Sequence, residues 1–399
     1  MRFLRRHPLA TALVVLIFAG ALFPLPPLLD AVTGSAPGNA ELVRPPGYLA
    51  GAPLSNTLDA LTFLSIERAR WALAVWALAL ALAGARGDGT PARRLGRSLL
   101  GPLVLVLLVA AAVLLPRPVP RLAVPDASLT TLDYHAHTAA SHDGRPGWTL
   151  ERLARWHARQ GFDAAYVTDH NRIFDFGPET PIPLLPGAEW SVHRQHVLAL
   201  GPVREIARDS FAGTTDRMLG VFREIDRQGA IAIAALPEYW RNHWDRLDEL
   251  AQAGAHGFEI VDCGPQALGF PSAARQRVIR LAATRGLLVV GGSDNHGWGA
   301  ATCVWNLAAP GAAGIQANRV VARALALRQG EGPTWAAALT QPWLMFRTLS
   351  WAERVSWLTW IAVIGLYRGI PRRAGDPPGL GILARSLKLR ALFRRQRAA

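Results

Sequence analysis

The chain has 399 residues, 50% of them hydrophobic, and a formal net charge of +14. A charge of this size would suit nucleic-acid binding, but the arginines concentrate in loops and a tail beside apolar segments. Basic residues beside apolar segments are better explained as signals that orient membrane spans and as contacts to anionic lipid headgroups. We therefore expect a lipid bilayer and no nucleic acid as partner. Two cysteines are too few for a disulfide framework. We expect Cys263 and Cys303 to be buried free thiols unless their strands adjoin outside the cytoplasm.

Three apolar segments predict an N-terminal membrane region over residues 1–116. The first lies near residues 9–29, follows basic residues, and is typical of a signal peptide or a first membrane helix. The second lies near residues 65–85. Its uncharged part is short for a hydrocarbon core of about 30 Å, so the helix must extend upstream or thin the bilayer. The third, near residues 99–116, is an uncharged apolar run that is long enough to span.

Basic residues set the orientation predicted for these spans. The amino terminus, the loop over residues 86–97 and the tail over residues 371–399 are all basic, which places them in the cytoplasm. The chain is then a multi-pass protein of the cytoplasmic membrane, with its middle part outside the cytoplasm. A fourth span is needed within residues 341–370, but the apolar part there is short. A helix that lies among the headgroups therefore competes with a true span.

A folded domain is predicted over residues 129–340, after a proline-rich linker. Residues 117–128 are expected to form a stiff, extended spacer that lifts this domain off the bilayer. Within the domain, three amphipathic helical stretches end at Gly161, Gly229 and Gly286, and each leads directly into an apolar run. This alternation is typical of an α/β fold with a parallel sheet buried on both faces, either doubly wound or closed into a barrel.

Residue types that bind metals follow the apolar runs of this domain. Ten of the eleven histidines fall between residues 135 and 296, and four clusters combine histidines with carboxylates. The clusters are Asp133 with His135 and His137, Asp169 with His170, Glu189 with His196, and Asp294 with His296. Because α/β barrels gather their active sites at the carboxyl ends of many strands, this placement favours a barrel-like closure.

The clusters also carry a family resemblance. Residues 133–144 contain DYHAHT and SHDG, residues 168–170 read TDH, residues 187–201 contain GAE and HVLALG, and residues 293–296 read SDNH. These segments resemble the four motifs of the PHP (polymerase and histidinol phosphatase) family, over residues 129 to about 306 and thus under half of the chain. The resemblance implies a distorted (β/α)7 TIM-like barrel that holds two or three divalent metal ions.

Carried over by position, the resemblance implies eight metal ligands. The first ion would be held by His135, His137, Glu189 and Asp294. The second would share Glu189 and add His196. The third would be held by Asp143, His170 and His296. Asp169 is expected to orient ligands from outside the coordination sphere rather than to bind a metal itself.

One departure from the family pattern affects the second ion. Members of the family usually have Ala-His-Pro after the fifth strand, whereas this chain has Leu236 before Pro237, and leucine cannot bind a metal. The second ion is therefore weakly held, absent, or completed by Glu238 or His243 from the loop that follows. Zinc, manganese and iron all suit such mixed ligands, and the sequence does not choose among them.

Arginines near the motifs are candidates for binding a phosphoryl group, because a planar guanidinium can pair with two phosphate oxygens. We take Arg194 and Arg241, together with Asp169, as the catalytic candidates. Arg145 and Arg172 lie at similar distances along the chain from a motif. Taken one at a time, each arginine is also explained as a solvated loop charge.

Other side chains near the motifs are expected to be structural. His157 lies within a predicted helix, away from any strand end. Three further histidines neighbour a motif, but we expect each to pack or to be solvated rather than to bind a metal. They are His142, His193 and His256. Five aromatic residues are expected either to floor an apolar pocket or to pack its rim. They are Trp190, Tyr239, Trp240, Trp244 and Trp298.

The predicted chemistry is metal-assisted hydrolysis of a phosphoester, either a small molecule or one linked to a lipid. Two other functions stay open. The changed second position leaves room for a metallohydrolase that cleaves carbamates or amides. It also leaves room for a membrane-tethered metal-binding or sensor module without turnover. The sequence makes no prediction of the oligomeric state.

Overall fold

The computed structural model describes residues 8–86, 88–173, 179–242, 246–309 and 318–369. Its strands form one ten-stranded sheet and one two-stranded sheet. The strands are β1 (Leu28–Asp30), β2 (Glu41–Val43), β3 (Arg121–Ala123), β4 (Thr130–Asp133), β5 (Ala164–Val167), β6 (Leu184–Val192), β7 (Gln195–Leu200), β8 (Ile231–Ala235), β9 (Gly257–Asp262), β10 (Leu288–Gly292), β11 (Val304–Ala308) and β12 (Arg319–Arg323).

Helices precede the sheet, connect its strands and follow it. They are α1 (Pro8–Leu22), α2 (Pro46–Ala50), α3 (Ala52–Thr62), α4 (Ile66–Arg86), α5 (Pro91–Leu114), α6 (Leu150–Gln160), α7 (Thr215–Arg227), α8 (Leu247–Gln252), α9 (Ser272–Arg285), α10 (Ala324–Leu327), α11 (Ala337–Thr348) and α12 (Trp351–Gly369). Short 3-10 turns cover Arg208–Phe211, Ala267–Gly269, Arg328–Gly330 and Thr334–Ala336.

The large sheet curls so that its two ends approach each other. Its strand order is β1-β12-β11-β4-β5-β6-β7-β8-β9-β10. The amide of Asn306 on β11 bridges both sides of the closure: it accepts from the Gly291 N–H at 2.8 Å and donates to the Gly291 and Leu132 carbonyls at 2.7 and 3.0 Å. Seven strands, β4 to β10, therefore curl round on themselves, in agreement with the barrel-like α/β fold expected from the sequence.

The sheet is mixed rather than parallel, which differs from the prediction. The parallel pairs are β4–β5, β5–β6, β8–β9 and β9–β10, while β7 runs antiparallel to both β6 and β8. The cause is a tight hairpin at His193 and Arg194, whose φ angles of 46° and 62° are those a two-residue hairpin turn requires.

The predicted helix-to-strand units are present. Helices α6 and α9 end at Gly161 and Gly286, which adopt the left-handed conformation with φ of 89° and 65°, and α7 ends shortly before Gly229 with φ of 75°. Each helix packs an apolar face on the sheet; α7, for example, buries Phe222 and Ile225 completely. A smaller cluster inside the curl brings together residues of β7, β8 and β10.

Two helices, α4 and α5, are long and apolar enough to cross a membrane. The second predicted span lies in α4, which begins at Ile66 and has 21 residues, although Arg68 in its first turn is buried and donates to the Gln329 carbonyl. Helix α1 is apolar but has only 15 residues, and residues 28 and 29, assigned to the first span, instead belong to strand β1 on the edge of the large sheet. The expected N-terminal region of three spanning helices is thus supported for two of them by length and composition.

The N-terminal helices are joined to the sheet by a buried charge network. Asp59 of α3 lies 2.5 Å from the guanidinium of Arg117 and 2.7 Å from that of Arg323 on β12, and it accepts a hydrogen bond from the Tyr48 hydroxyl at 2.8 Å. All of these groups are buried. A network of this kind holds the two regions in fixed register because a charge left without its partner would be costly there.

The proline-rich segment after α5 does not stand free as a spacer. Strand β3 within it pairs antiparallel with β2, Leu122 is buried, and Arg117 joins the charge network around Asp59. Proline spacing predicted an extended segment, and the segment is extended, but its side chains pack against neighbouring parts of the chain. The boundaries proposed at residues 116, 128, 340 and 370 stay predictions.

The apolar segment near the carboxyl end belongs to α12, which has 19 residues. Its exposed side chains include Val363 and Ile364, about half exposed each, while Trp357 packs inward on Phe346. Whether it spans the membrane or lies on it stays a prediction. The basic tail over residues 371–399 and the basic residues before Pro8 lie outside the described residues.

The expectation of free thiols is wrong: Cys263 and Cys303 form a disulfide, with their Cα atoms 5.6 Å apart. Cys263 follows the carboxyl end of β9, and Cys303 precedes β11. Closure of the sheet brings these two points together, which the linear sequence does not reveal.

Candidate metal centre

The predicted ligands come from different strands and meet at one end of the curled sheet. His135 and His137 follow β4, and a parallel bridge between Ala136 and Asn295 places them beside the segment that follows β10. That segment carries Asp294 and His296. A second bridge, between His170 and Glu189, places the end of β5 against β6. The carboxylate of Glu189, fully buried, lies at the centre of the group.

Four ligand atoms have the spacing of a single metal site. The Nε2 atom of His135 lies 3.3 Å from Glu189 Oε2 and 3.6 Å from Asp294 Oδ1, and the Nε2 atom of His137 lies 3.3 Å from both oxygens. Ligands about 2.1 Å from an ion in tetrahedral geometry lie about 3.4 Å from one another. These side chains therefore fit the first ion as the sequence predicted it.

The second predicted position lies around His196. His196 Nδ1 lies 2.5 Å from Glu189 Oε1 and 3.5 Å from Glu238 Oε2. With Glu189 and His170 it forms a group whose spacing could hold an ion. Leu236 is buried in the hydrophobic core. Of the two residues expected to complete this position, Glu238 lies near His196 and His243 lies outside the described residues, so the completion of this position stays a prediction.

The third predicted position lies at the mouth of the group. His296 Nε2 is 3.1 Å from Asp143 Oδ1, and His170 Nε2 is 3.6 Å from Asp143 Oδ2. His170 also faces Glu189 through its other nitrogen, at 2.9 Å. Asp143 is about half exposed, so this side of the group is open to solvent.

The chemistry of these side chains fits a metal. Among the described residues, several of their polar atoms are buried and yet make no hydrogen bond: Nε2 of His135, His137 and His296, Nδ1 of His170, and both oxygens of Glu189. Buried polar atoms almost always find a partner. Here their lone pairs converge on common points, and several sets of them can hold an ion. Such convergence is what a divalent cation requires.

The sequence analysis missed two acidic residues of this site. Glu259 on β9 is fully buried, and its Oε1 lies 3.0 Å from Nδ1 of His135; Asp262 ends the same strand. The contact requires Gly292, since a Cβ there would lie 2.2 Å from Glu259 Oε1 and 2.3 Å from the His135 Cβ. The signal that could have revealed them is the pair of acids in the buried, otherwise apolar strand GFEIVD.

Asp169 lies where an orienting residue is expected. Its carboxylate accepts hydrogen bonds from the Thr138 N–H and hydroxyl at 2.6 and 2.7 Å and from the Ser141 hydroxyl at 3.0 Å. Ser141 Oγ in turn lies 3.0 Å from Nδ1 of His137. The arrangement sets the orientation of the His137 ring and leaves its Nε2 directed at the centre.

The histidines left out of the site make other contacts. His157 is fully buried, with Nε2 2.7 Å from Asp133 Oδ2 and Nδ1 2.9 Å from the Leu153 carbonyl, so its role is structural, as expected. His256 Nε2 pairs with Asp226 at 3.3 Å. His142 differs from these: it is 78% exposed, lies 3.9 Å from Asp143, and forms with Asp143 and His170 a group whose spacing could hold an ion.

The arginine candidates lie outside the group. Arg194 is exposed in the β6–β7 turn, and Arg241 pairs with Glu67 at 3.4 Å and stacks over Trp240 at 4.6 Å. In the described part of the chain, neither guanidinium makes a hydrogen bond or ion pair with a predicted ligand. Further, Arg172 is exposed and Arg145 stacks over Trp298. A direct role for these arginines thus stays a prediction.

The aromatic residues divide between core and rim. Trp190 is buried and packs the core, whereas the Tyr239 ring lies 4.7 Å from that of His196. Trp298 is 44% exposed and donates its indole N–H to the Asp143 carbonyl at 3.1 Å. Trp244 lies outside the described residues.

Several carboxyl groups lie close together at this point, and their pKa values respond to burial and to one another. Burial raises the pKa of Glu259 to about 7 and the pKa of Asp262 well above its usual range. Burial also acts on Glu189, but the nearby His196 and His135 outweigh it and hold the pKa of that carboxyl well below its usual value. Burial lowers the pKa of His135, yet Glu189 and Glu259 more than reverse this. A divalent cation would offset so many carboxylates at one place.

Comparison with known proteins gives partial likenesses. No protein-family model matches the chain, and no curated protein matches it by sequence. A presumed metal-dependent phosphoesterase from Bifidobacterium adolescentis is 20% identical over 42% of this chain and 87% of its own, with a TM-score of 0.32. A two-domain protein from Bacteroides vulgatus that contains a predicted PHP-like metal-dependent phosphoesterase is 20% identical over 52% of this chain and 66% of its own, with a TM-score of 0.34.

A third structure, PsfC from Pseudomonas syringae, is 19% identical over 51% of this chain and 95% of its own, with a TM-score of 0.37. Likeness at these TM-scores is too weak to establish function.

Proposed function

We propose that this chain is a metal-dependent hydrolase whose substrate is a phosphoester. The observation that supports it most is that eight predicted ligands, from five separate parts of the sheet, come close together. Among them, polar atoms of five residues are buried without a hydrogen bond: His135, His137, His170, Glu189 and His296. A structural zinc site closes its coordination with four ligands, whereas this group has more ligands than one ion needs and an open side at Asp143.

The residues divide naturally among two or three ions. The first would be held by His135, His137, Glu189 and Asp294, and the second by Glu189, His196 and Glu238. A third would be held by Asp143, His170 and His296. Glu189 would be shared by the first two ions, since its Oε2 lies near His135 and His137 and its Oε1 lies near His196. Zinc, manganese and iron all suit these ligands.

When bound, close divalent ions make water a better nucleophile and offset negative charge on phosphoryl oxygens. The side chains of the protein position the metal ligands. Glu259 and the Asp169–Ser141 pair fix the rings of His135 and His137, and the buried sheet excludes water from one side of the group. Asp143, Asp294 and His296 line the open side, so a phosphoryl group would enter there.

We also propose that the domain is held at the outer face of a membrane. Helices α4 and α5 expose apolar side chains such as Leu78, Leu99 and Leu107, each more than half exposed, which lipid would cover. The disulfide suits an oxidising compartment. The basic residues between the two helices would then lie in the cytoplasm.

The test is hydrolysis by the purified full-length chain in detergent, with p-nitrophenyl phosphate compared with a p-nitrophenyl carbamate and an anilide. We expect phosphate release, and we expect Asp294→Ala to abolish it while the protein stays folded by circular dichroism. Turnover of the carbamate or anilide alone would replace the phosphoester with that class. A folded, fully active Asp294→Ala variant would overturn the mechanism.

A further inference from the structure

The open side of the metal centre faces a cavity of about 560 Å³. One wall of this cavity is polar and comes from the site itself. Asp143, Asp294 and His296 lie on it, together with Glu238 of the second predicted position. A phosphoester bound at the ions would therefore have the rest of its structure inside this cavity.

The opposite wall is apolar and comes from the N-terminal helices. Its residues are Leu61, Leu64, Ile66, Ala69, Val109 and Val113. They belong to the end of α3 and the segment after it, the first turn of α4 and the last turns of α5, so the wall is built where the two long apolar helices meet the metal domain. Contact with this apolar wall would not strengthen the binding of a small polar phosphoester, whereas it would stabilise a bound hydrocarbon chain by burying apolar surface.

The apolar wall is continuous with the surface that lipid would cover. Val113, about two-fifths exposed, lines the cavity, and Leu107 on the same helix points outward and is more than half exposed. Trp71 in the first turns of α4 and Trp298 at the cavity are both about half exposed, and tryptophan is favoured at membrane surfaces. If lipid covers the exposed faces of α4 and α5, the mouth of the cavity would lie near the headgroups.

We infer that the substrate of this centre is a phosphoester of a long hydrocarbon chain, with the phosphoryl group at the metal ligands and the chain along Ile66, Ala69 and Val109 toward the bilayer. This inference deepens the proposed function and rests on it. This inference also gives a reason for the packing of α4 and α5 against the mouth of the site, since helices that only anchored the domain would not need to contact the site.

The test uses homologous substrates with the full-length chain in detergent micelles. The probes are n-alkyl phosphates and n-alkyl p-nitrophenyl phosphates from ethyl to octyl, each below its own critical micelle concentration. Burial of one methylene is worth up to about fourfold in binding, so we expect kcat/KM to rise about two- to fourfold with each methylene.

Variants of the cavity wall distinguish binding of the alkyl chain in the cavity from partition of the substrate into the micelle, because that partition is the same for every variant. Val109→Asn makes the wall polar and Ala69→Phe fills it, and we expect both to flatten the dependence on chain length. Leu107→Asn is the matched control, since it places the same polar group on the outward face of the same helix and should keep the wild-type dependence. Ala69→Phe keeps the inference testable if the polar variant fails to insert.

The outcomes distinguish the two proposals. If the wild type hydrolyses no phosphoester of any length, the proposed function fails and the inference fails with it. If it hydrolyses the ethyl and octyl esters equally well, the phosphoesterase stands and the inference is overturned. A dependence on chain length that is the same in all three variants would also overturn it, because the chain would then bind elsewhere.

Discussion

Removal of Glu259 should weaken metal binding although Glu259 is not itself a predicted ligand. Its carboxylate lies 3.0 Å from Nδ1 of His135, and both side chains are buried. Glu259→Ala would leave a buried N–H of His135 without an acceptor, at a cost of about 1–3 kcal/mol. Since about 1.4 kcal/mol corresponds to tenfold in a binding constant, the affinity should fall between about fivefold and 150-fold. The usual effect of losing such a partner, about 10- to 100-fold, lies in the same range.

The assay is titration of the apoprotein with Zn²⁺ or Mn²⁺ in competition with a chromophoric chelator, together with kcat/KM for p-nitrophenyl phosphate. Glu259→Gln is the matched variant, because its side-chain oxygen can still accept from His135; we expect it to lose less than about tenfold. Glu249→Ala, which removes a partly exposed carboxylate from a surface ion pair, should bind metal as the wild type does. Wild-type metal affinity in Glu259→Ala would refute an orienting role for this residue.

Three further sets of substitutions test contacts in the protein interior. Asp59→Ala should lower the free energy of unfolding by about 3–5 kcal/mol in a denaturant titration, because two buried guanidinium groups lose their counterion; an effect under about 1 kcal/mol would show that the network is dispensable. Replacing Cys263 and Cys303 by serine should cost about 2–4 kcal/mol for a loop of 40 residues, and an unchanged melting temperature would contradict this. Gly292→Ala should abolish metal binding, measured by metal content, while Gly96→Ala, with nothing within 4 Å of its added methyl group, should not; a Gly292→Ala protein with full metal content would refute the close approach.

Much of the metal centre was predictable because its ligands are local signals. His135 and His137 lie on either side of a single residue after a strand, and Asp294 and His296 repeat that spacing after another strand. To predict that these pairs lie close together, only one assumption is needed, namely that the strands end at the same side of a barrel. The structure brings all eight predicted ligands together on that basis.

The rest of the site depends on which strands are neighbours. Glu259 meets His135 only because β9 lies next to β10 and Gly292 leaves room between them. The sequence offers Glu238 only as one of two candidates for the position lost at Leu236, and Glu238 lies near His196 because β8 pairs with β7. Neither contact can be predicted from spacing, since each joins residues far apart in the chain.

Contacts between residues at the two ends of the curled sheet could not be predicted from the sequence either. The disulfide depends on the approach of the end of β9 to the start of β11, and Asn306 holds β11 against the neighbouring strand β10. Strand β1 pairs with β12 although nearly 300 residues separate them, which is why residues 28 and 29 were taken for the end of a membrane span. Apolar composition alone does not distinguish a short buried strand from the last turn of an apolar helix.

The most direct test of the metal centre is metal content measured together with p-nitrophenyl phosphate hydrolysis, for the full-length wild type, His137→Ala and His256→Ala. His137 lies within the converging group, whereas His256 precedes β9 and pairs with Asp226, so the two variants remove the same side chain from inside and outside the site. We predict about two or three divalent ions per chain and turnover in the wild type and in His256→Ala, with metal and turnover both lost in His137→Ala. One ion or none in the wild type, with no turnover of phosphate, carbamate or amide esters, would contradict the proposal and indicate a site that binds without catalysis.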